Sequence, residues 1–333
     1  MNSFGRIFRV HIFGESHGES VGLVIDGCPA GLSLNAEDFI EDIERRKGGT
    51  QKGTTPRKED DIPFFKSGVF NNLTTGAPIT ILFENNNIRS SDYDKIRDFP
   101  RPGHADFVAH QKFGGFEDYR GSGHFSGRLT VALVAAGVIA KKLLKQIEIK
   151  ATLAEVAGEK IIEAGLQKAI DAKDTVGGII ECHINGLPIG LGEPFFDSIE
   201  SLISHAIFAI PAVRGIEFGT GFEAAKMFGS QHNDAIEDIR GKTTTNHAGG
   251  VVGGLTNGNE LVFRIAIKPT SSTPKEQQSL NWNTGNLESF SVKGRHDLCI
   301  ALRVPVIVEA VAAMVLADLM LLQQRIPRIL LPV

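Results

Sequence analysis

The chain has 333 residues, of which 42% are hydrophobic and 22% are charged, proportions that exclude disordered, collagen-like and coiled-coil proteins. Its 35 lysine and arginine residues against 39 aspartate and glutamate residues give a formal net charge of −4, which excludes the broad positive field of a non-specific nucleic-acid binder. Glycine, with 37 residues, is more frequent than the usual share of about 7%. Many backbone positions are therefore expected to adopt positive φ or to approach a neighbour closely.

Helices and strands are predicted to alternate irregularly along the chain, with no sequence repeat and no linker that marks a domain boundary. In chain order we predict strands at 7–13 and 22–26, a helix at 36–47, strands at 65–69 and 79–83, helices at 105–113, 128–146 and 159–172, a strand at 178–184, a helix at 198–208, strands at 215–218 and 260–267, and a helix at 305–323. This pattern predicts one intertwined α/β (α+β) body that spans residues 1–333 as a single domain.

Two of these helices carry specific signals. Asn35 can cap the first helix, with Asp38 three residues further on. The most hydrophobic segment, residues 304–322, contains Glu309 and Asp318 and so falls short of a clean membrane span. We predict a buried helix there and no membrane association.

The cysteines indicate the compartment. Cys28, Cys182 and Cys299 are odd in number, widely separated and in no CxxC spacing, which argues against a disulfide framework and a cysteine zinc site. No secretory signal is predicted, because charged residues interrupt the first apolar stretch. A cytoplasmic protein without a bound metal is expected.

Four long connections, residues 48–57, 88–103, 119–127 and 243–259, are polar and rich in glycine or basic residues. Long loops within a compact body are usually functional or disordered. Arginine, lysine and histidine are concentrated at residues 45–58 and 101–128, and guanidinium groups suit phosphate and carboxylate. Although these residues could form solvated faces, we favour a local site for a polyanionic ligand.

The segment GESHG at residues 14–18 matches G-x-S-x-G, the turn that presents the nucleophilic serine of α/β-hydrolases. That turn needs a helix after it, whereas a second strand is predicted here. A serine hydrolase that uses Ser16 is therefore one alternative, and a plain glycine-rich turn is another. A helix starting at Arg128 after the loop at 121–126 could likewise bind an anion or be a solvated helix start.

Taken together, nine segments in order resemble the chorismate synthase family, from Phe4 to about Val315. The segments are GESHG at 14–18, DIERRK through TTPRKE at 42–59, RPGHAD at 101–106, 121–137 with SGRLT and AAG, GLPIGLGEP at 186–194, IPAV at 210–213, NHAGG at 246–250, KP at 268–269 and RHD at 295–297. Compatible spacing over most of the chain makes coincidence implausible.

The resemblance implies a fold in which helices are sandwiched between antiparallel sheets, and a homotetramer. It implies a carbon–oxygen lyase that converts 5-enolpyruvylshikimate 3-phosphate to chorismate by 1,4-anti elimination of phosphate, the last step of the shikimate pathway. The implied cofactor is reduced FMN, with no net redox change. No separate flavin-reductase domain is expected, so an external flavin reductant, linked to NADP, is implied.

By motif position, the resemblance implies that His17 donates a proton to the reduced flavin and that His104 assists the leaving phosphate. Asp297 would act with the flavin in removing the ring proton. The implied substrate-binding residues are Arg46, Lys52, Arg101, Arg128 and Arg295. The implied flavin-binding residues are Ser126, Gly127, Arg128, Asn246, His247, Ala248, Lys268, Ser272 and Arg295.

Several positions depart from the family pattern. Leu129 stands where the family has a glutamate, and Gly127 stands where it has an alanine. His124, Leu133 and Lys52 each stand where the family has an arginine. If the glutamate normally orients an active-site arginine, another group must position Arg128 here. These departures leave open a non-catalytic flavin-binding or anion-binding relative.

Overall fold

Two large antiparallel sheets, three two-stranded sheets and a layer of helices make up the computed structural model, which describes residues 1–49, 52–55, 59–87, 97–292 and 296–331. The strands are β1 (Ser3–Phe4), β2 (Arg9–Gly14), β3 (Ser20–Asp26), β4 (Phe64–Ser67), β5 (Val69–Phe70), β6 (Leu73–Thr74), β7 (Ile79–Glu84), β8 (Glu148–Val156), β9 (Gly178–Asn185), β10 (Val213–Phe218), β11 (Val251–Val252), β12 (Leu255–Thr256), β13 (Leu261–Ile267), β14 (Gln277–Leu280) and β15 (Leu287–Phe290). The α-helices are α1 (Ile40–Arg46), α2 (Asp106–Phe113), α3 (Thr130–Leu143), α4 (Ile162–Ala172), α5 (Ile199–Ile207), α6 (Gly229–His232) and α7 (Pro305–Leu322).

The first sheet has the strand order β1-β2-β3-β7-β4 and the second has the order β10-β13-β9-β8, with every neighbouring pair antiparallel. In the first sheet, β2 and β3 pair from Arg9 opposite Asp26 to Gly14 opposite Val21. The turn that joins these two strands is the GESHG segment. A strand therefore follows this turn, as predicted.

Helices fill the space between the two sheets. Helix α3 packs against β2 and β3 of the first sheet, α7 packs against β8 and β9 of the second, and the two helices pack on each other. A Cβ placed on Gly137 of α3 would lie 2.2 Å from the Cβ of Ala310 in α7, so this glycine lets the helices approach closely. One apolar core runs through both sheets and these helices, which confirms the sandwiched arrangement.

Two buried carboxylates in α7 are bonded within the fold. Glu309 accepts hydrogen bonds from Arg45, Lys141 and the Ala151 N–H. Asp318 accepts the backbone N–H groups of residues 6–8 at 2.7–2.9 Å. By length and composition, the segments Arg120–Leu143 and Pro305–Leu322 could each span a membrane. However, 78% and 83% of the residues in their most apolar 18-residue stretches are buried in the fold. The core helices of globular proteins can be equally long and apolar. The burial of α7 agrees with the buried helix predicted for this segment.

Several predicted boundaries were wrong. Asn35 and Asp38 form the expected capping box, but the first turn, Ala36–Phe39, is a 3-10 helix. The helix predicted at 128–146 is a 3-10 turn, Gly127–Leu129, followed by α3. Strand β8 and the β14-β15 hairpin were not predicted. The loops predicted at 48–57 and 88–103 lie partly outside the described residues.

Candidate active site

A cavity of about 840 Å³ opens between the two sheets. The turns and loops of the first sheet line one part of it, and residues from 205–212 and 268–272, beside the second sheet, line another. It collects predicted site residues from distant parts of the chain. Those that line it are Arg46, Arg101, His104, Ser126, Gly127, Arg128, Lys268, Ser272 and Asp297. The predicted convergence on one cavity therefore holds for these residues.

The wall of the cavity contains a buried carboxylate between two guanidinium groups. Asp61 accepts from Arg46 at 2.8 Å and forms a short ion pair with Arg128. Burial favours the neutral acid, but the two adjacent arginines outweigh it and lower the pKa of Asp61. Burial, together with the nearby charges of Arg128 and Arg303, lowers the pKa of Arg46 to about 10. Arg46 thus stays cationic at neutral pH.

Asp61 also explains how Arg128 is oriented although Leu129 replaces the family glutamate. The Arg128 guanidinium is fixed by Asp61, by the Asn85 side-chain oxygen at 2.9 Å and by the Glu84 carbonyl at 3.2 Å. Leu129 is buried and lines the cavity. No motif singled out Asp61, and its one sequence signal was its position in an acidic run, residues 59–61, after the basic loop.

A second network surrounds His104. Arg101 forms a two-pronged ion pair with Asp106, with N···O distances of 2.7 and 2.8 Å, and His104 Nδ1 lies 2.7 Å from the same carboxylate. Burial lowers the pKa of His104, the charges of Arg101 and Lys268 lower it further, and Asp106 opposes them. The pKa of Asp106 is well below its usual value, because the hydrogen bonds from Arg101 and His104 outweigh the effect of burial. His104 is therefore neutral at pH 7.

His17 is buried in the turn between β2 and β3 and does not itself line the cavity. It lies behind Gly121, which does: a Cβ on Gly121 would be 2.0 Å from His17 Nδ1. The turn is docked onto residue 123 through the Ser16 N–H, which donates to the Gly123 carbonyl at 3.1 Å. Because Ser16 is fully buried and a strand follows it, the turn is not a hydrolase elbow.

Asp297 lines the cavity and is held there by two hydrogen-bond donors. Its carboxylate accepts the Thr55 N–H at 2.9 Å and a guanidinium N–H of Arg303 at 2.5 Å. Lys52 lies shortly before Thr55 in the sequence, but its side chain is exposed and does not line the cavity. Arg295 and residues 56–58 of the basic motif lie outside the described residues.

Residues proposed for the flavin divide into two groups. Ser126 caps the 3-10 turn by accepting the Arg128 N–H, Lys268 donates to the Gly103 carbonyl at 2.8 Å, and Ser272 accepts from Arg101 at 3.0 Å. All three line the cavity with Gly127, where an added Cβ would have no atom within 4 Å.

The second group lies in a separate turn that does not line the cavity of this chain. The Asn246 side chain bonds the Glu260 carbonyl and the Gly250 N–H. The backbone N–H groups of His247 and Ala248 donate to Asp234 at 2.7 and 2.9 Å. These contacts stabilise the turn itself, so flavin binding by Asn246, His247 and Ala248 stays a prediction.

The fold and the cavity define a protein with helices between antiparallel sheets and a cavity lined by several arginine and lysine side chains. The family model for chorismate synthase matches residues 8–321. The chain is 73% identical over 330 residues to the chorismate synthase of Chitinophaga pinensis, with 99% of each chain covered, and 44% identical over 360 residues to that of Dehalococcoides mccartyi, again with 99% of each covered. A crystal structure of chorismate synthase superposes with a TM-score of 0.75 over 96% of this chain and 93% of that chain, at 24% identity, which shows the fold. The chain belongs to the chorismate synthase family.

Proposed function

We propose that this chain converts 5-enolpyruvylshikimate 3-phosphate to chorismate by 1,4-anti elimination of phosphate, as a carbon–oxygen lyase. The observation that carries the proposal is the convergence of Arg46, Arg101 and Arg128 with His104 and Asp297 in one cavity. The substrate has a phosphate and two carboxylates, so a chain of net charge −4 needs concentrated local positive charge to bind it.

The residues present fit FMN in both size and chemistry. The volume of about 840 Å³ is in the range of small-molecule sites. Apolar side chains such as Leu133 and Met314 line it and suit a flat ring, while Lys268 suits a phosphate. When bound, reduced FMN supplies the electron-rich ring system needed to remove a proton from a carbon that has no adjacent carbonyl group.

The side chains around the cavity orient the substrate and handle its protons. Neutral His104 faces the site, and an arriving anion raises the pKa of this imidazole, so His104 gains the proton that it passes to the leaving phosphate. The Asp297 carboxylate, fixed by Thr55 and Arg303, assists removal of the ring proton. His17, which lies behind Gly121 in the cavity wall, would hold the proton that the reduced flavin takes up.

The assembly proposed is a cytoplasmic homotetramer of single-domain chains that takes reduced flavin from an external, NADP-linked reductant. Support for self-association comes from large apolar side chains at the surface: Phe195, Phe196, Phe222 and Phe228 are 76–94% exposed. Such exposed apolar groups are typical of contact surfaces. The three cysteines are free and buried, which suits a reducing compartment.

An anaerobic assay with reduced FMN and 5-enolpyruvylshikimate 3-phosphate tests the function. We expect equal amounts of phosphate and chorismate, and turnover reduced at least 100-fold in His104→Gln and Asp297→Asn, because proton transfer by a positioned side chain contributes roughly 10² to 10⁴. Glu41→Gln, on the exposed surface of α1, serves as a control. Folded protein that binds flavin without turnover would instead favour the non-catalytic relative, and Leu129→Glu then tests whether the missing glutamate is the cause.

A further inference from the structure

Ser122 occupies an unusual place in the cavity wall. It has a φ of +71° between Gly121 and Gly123, which also have positive φ, although a residue with a Cβ rarely adopts this conformation. Its Oγ accepts a hydrogen bond from Arg101 Nη2 at 2.9 Å and lies 3.3 Å from His104 Nε2. The unfavourable backbone conformation thus places a hydroxyl between the two principal polar side chains of this network.

The chemistry of the donors fixes the direction of each hydrogen bond. Asp106 is ionised and can only accept, so His104 Nδ1 must carry the proton in their 2.7 Å contact. The Arg101 contact to His104 Nδ1 at 3.1 Å is then between two donors and is not a hydrogen bond. Because the Ser122 oxygen already accepts from Arg101, its hydroxyl proton is free to point at His104 Nε2, the acceptor of the neutral imidazole.

We propose that Ser122 is a positioning residue for His104, which it holds in the Nδ1–H tautomer with Nε2 unprotonated and directed toward the cavity. This proposal rests on the proposed function, in which that nitrogen serves the leaving phosphate. The charged groups that face His104 among the described residues are Arg101, Asp106 and Lys268. All three are fixed by other bonds, so the Ser122 hydroxyl is the contact in this network that can turn from the imidazole to an incoming anion.

Two variants separate the hydroxyl from the backbone. Ser122→Ala and Ser122→Gly both remove Oγ, but only glycine also relieves the positive φ, so the glycine variant should be the more stable of the two. In both, loss of a hydrogen bond to the neutral imidazole should raise the pKa of His104 by about 0.5 to 1. The pKa is measured by NMR titration, with the His104 signal assigned by its loss in His104→Gln.

In the anaerobic assay, both variants should show a kcat/KM about three- to ten-fold below that of the wild type, with its alkaline limb moved to higher pH, because His104 acts in its protonated form. Lys173→Gly is the matched control, because Lys173 is an exposed residue with a φ of +49°; it should gain stability without change in activity or in the titration of His104. A glycine variant that titrates and turns over like the wild type would overturn the proposal. If the wild type does not turn over at all, the proposed function fails, while the NMR titration still tests the contact with Ser122.

Discussion

At the scale of single residues, Asp61 is the buried carboxylate that neutralises the guanidinium groups of Arg46 and Arg128 in the cavity wall. Asp61→Asn would leave the guanidinium groups of Arg46 and Arg128 close together without a neutralising carboxylate. We expect the free energy of unfolding to fall by about 3 kcal/mol, as when one partner of a buried ion pair is removed. Urea denaturation measures this, with Asp60→Asn as the control, because Asp60 is the exposed neighbour and should cost less than about 0.5 kcal/mol. Equal losses in the two variants would show that Asp61 does not hold the arginines.

Gly121 is the second residue whose identity the site requires. In Gly121→Ala the new methyl group would overlap the His17 imidazole, since the built Cβ lies 2.0–2.2 Å from two ring atoms. Gly158→Ala is a matched control, because Gly158 also has positive φ, +79°, but no atom within 4 Å of its Cβ position. Both should lose about 1 kcal/mol to backbone strain, and Gly121→Ala should lose about 1–3 kcal/mol more together with most of its turnover. If denaturation and the anaerobic assay gave the same result for both, the packing of His17 on Gly121 would not matter.

At the scale of elements, the sequence predicted the helices and strands whose local sequence signals agree with their environment in the fold. Apart from Glu309 and Asp318, helix α7 is apolar, and it is buried on all sides. Strands β2, β3 and β7 carry continuous or alternating apolar residues that fit a half-buried or buried sheet. Strand β8 has the sequence EIKATLAEV, whose Glu, Lys, Ala and Leu residues favour a helix. It is extended because it pairs with β9 from Glu148 opposite Asn185 to Val156 opposite Gly178. Such tertiary pairing cannot be recognised from a local pattern.

The contact between α3 and α7 gives a prediction at this scale. Alanine is the better helix former, so Gly137→Ala would stabilise an isolated α3 by up to about 1 kcal/mol. In the folded chain its Cβ would lie 2.2 Å and 2.4 Å from the Cβ and Cα of Ala310, and separating two core helices should cost about 1–3 kcal/mol net. Gly229→Ala, in a helix with no atom within 4 Å of the added Cβ, should change stability by less than about 0.5 kcal/mol. Thermal unfolding of the two variants measures this difference. A Gly137→Ala variant more stable than the wild type would contradict the close approach of α3 and α7.

At the scale of the whole molecule, the sequence motifs identified the charged residues of the site but not their partners. Arg46, Arg101 and Arg128 stand in recognisable segments, so their convergence could be predicted. That Asp61 would neutralise two of them, or that Arg303 would hold Asp297, depends on which distant loops the sheets bring together. A carboxylate in a polar loop has no local signal that shows which arginine it meets, and the same holds for the hydroxyl of Ser122.

Glu309 gives a prediction about the stability of the whole fold as a function of pH. Its carboxylate connects α7 to α1, α3 and β8 through Arg45 at 2.7 Å, Lys141 at 2.9 Å and the Ala151 N–H at 3.0 Å. Burial alone would raise the pKa of Glu309, but the bonds from Arg45 and Lys141 outweigh it and lower the pKa below its usual value. Because the pKa is lower in the folded state than in the unfolded state, this group stabilises the fold above the unfolded pKa of about 4.3. That stabilisation is lost as the pH falls through the folded value.

Glu309→Gln removes this pH-dependent stabilisation. At pH 7 we expect the variant to be about 2 kcal/mol less stable than the wild type, less than for a fully buried pair because Arg45 and Lys141 are 39% and 26% exposed. The difference should shrink as the pH falls below about 4, since a protonated glutamate and a glutamine are both neutral. Urea denaturation at a series of pH values measures it, with the exposed Glu41→Gln as a control that should track the wild type throughout. A difference that stayed constant with pH would mean that Glu309 contributes through packing and not through its charge.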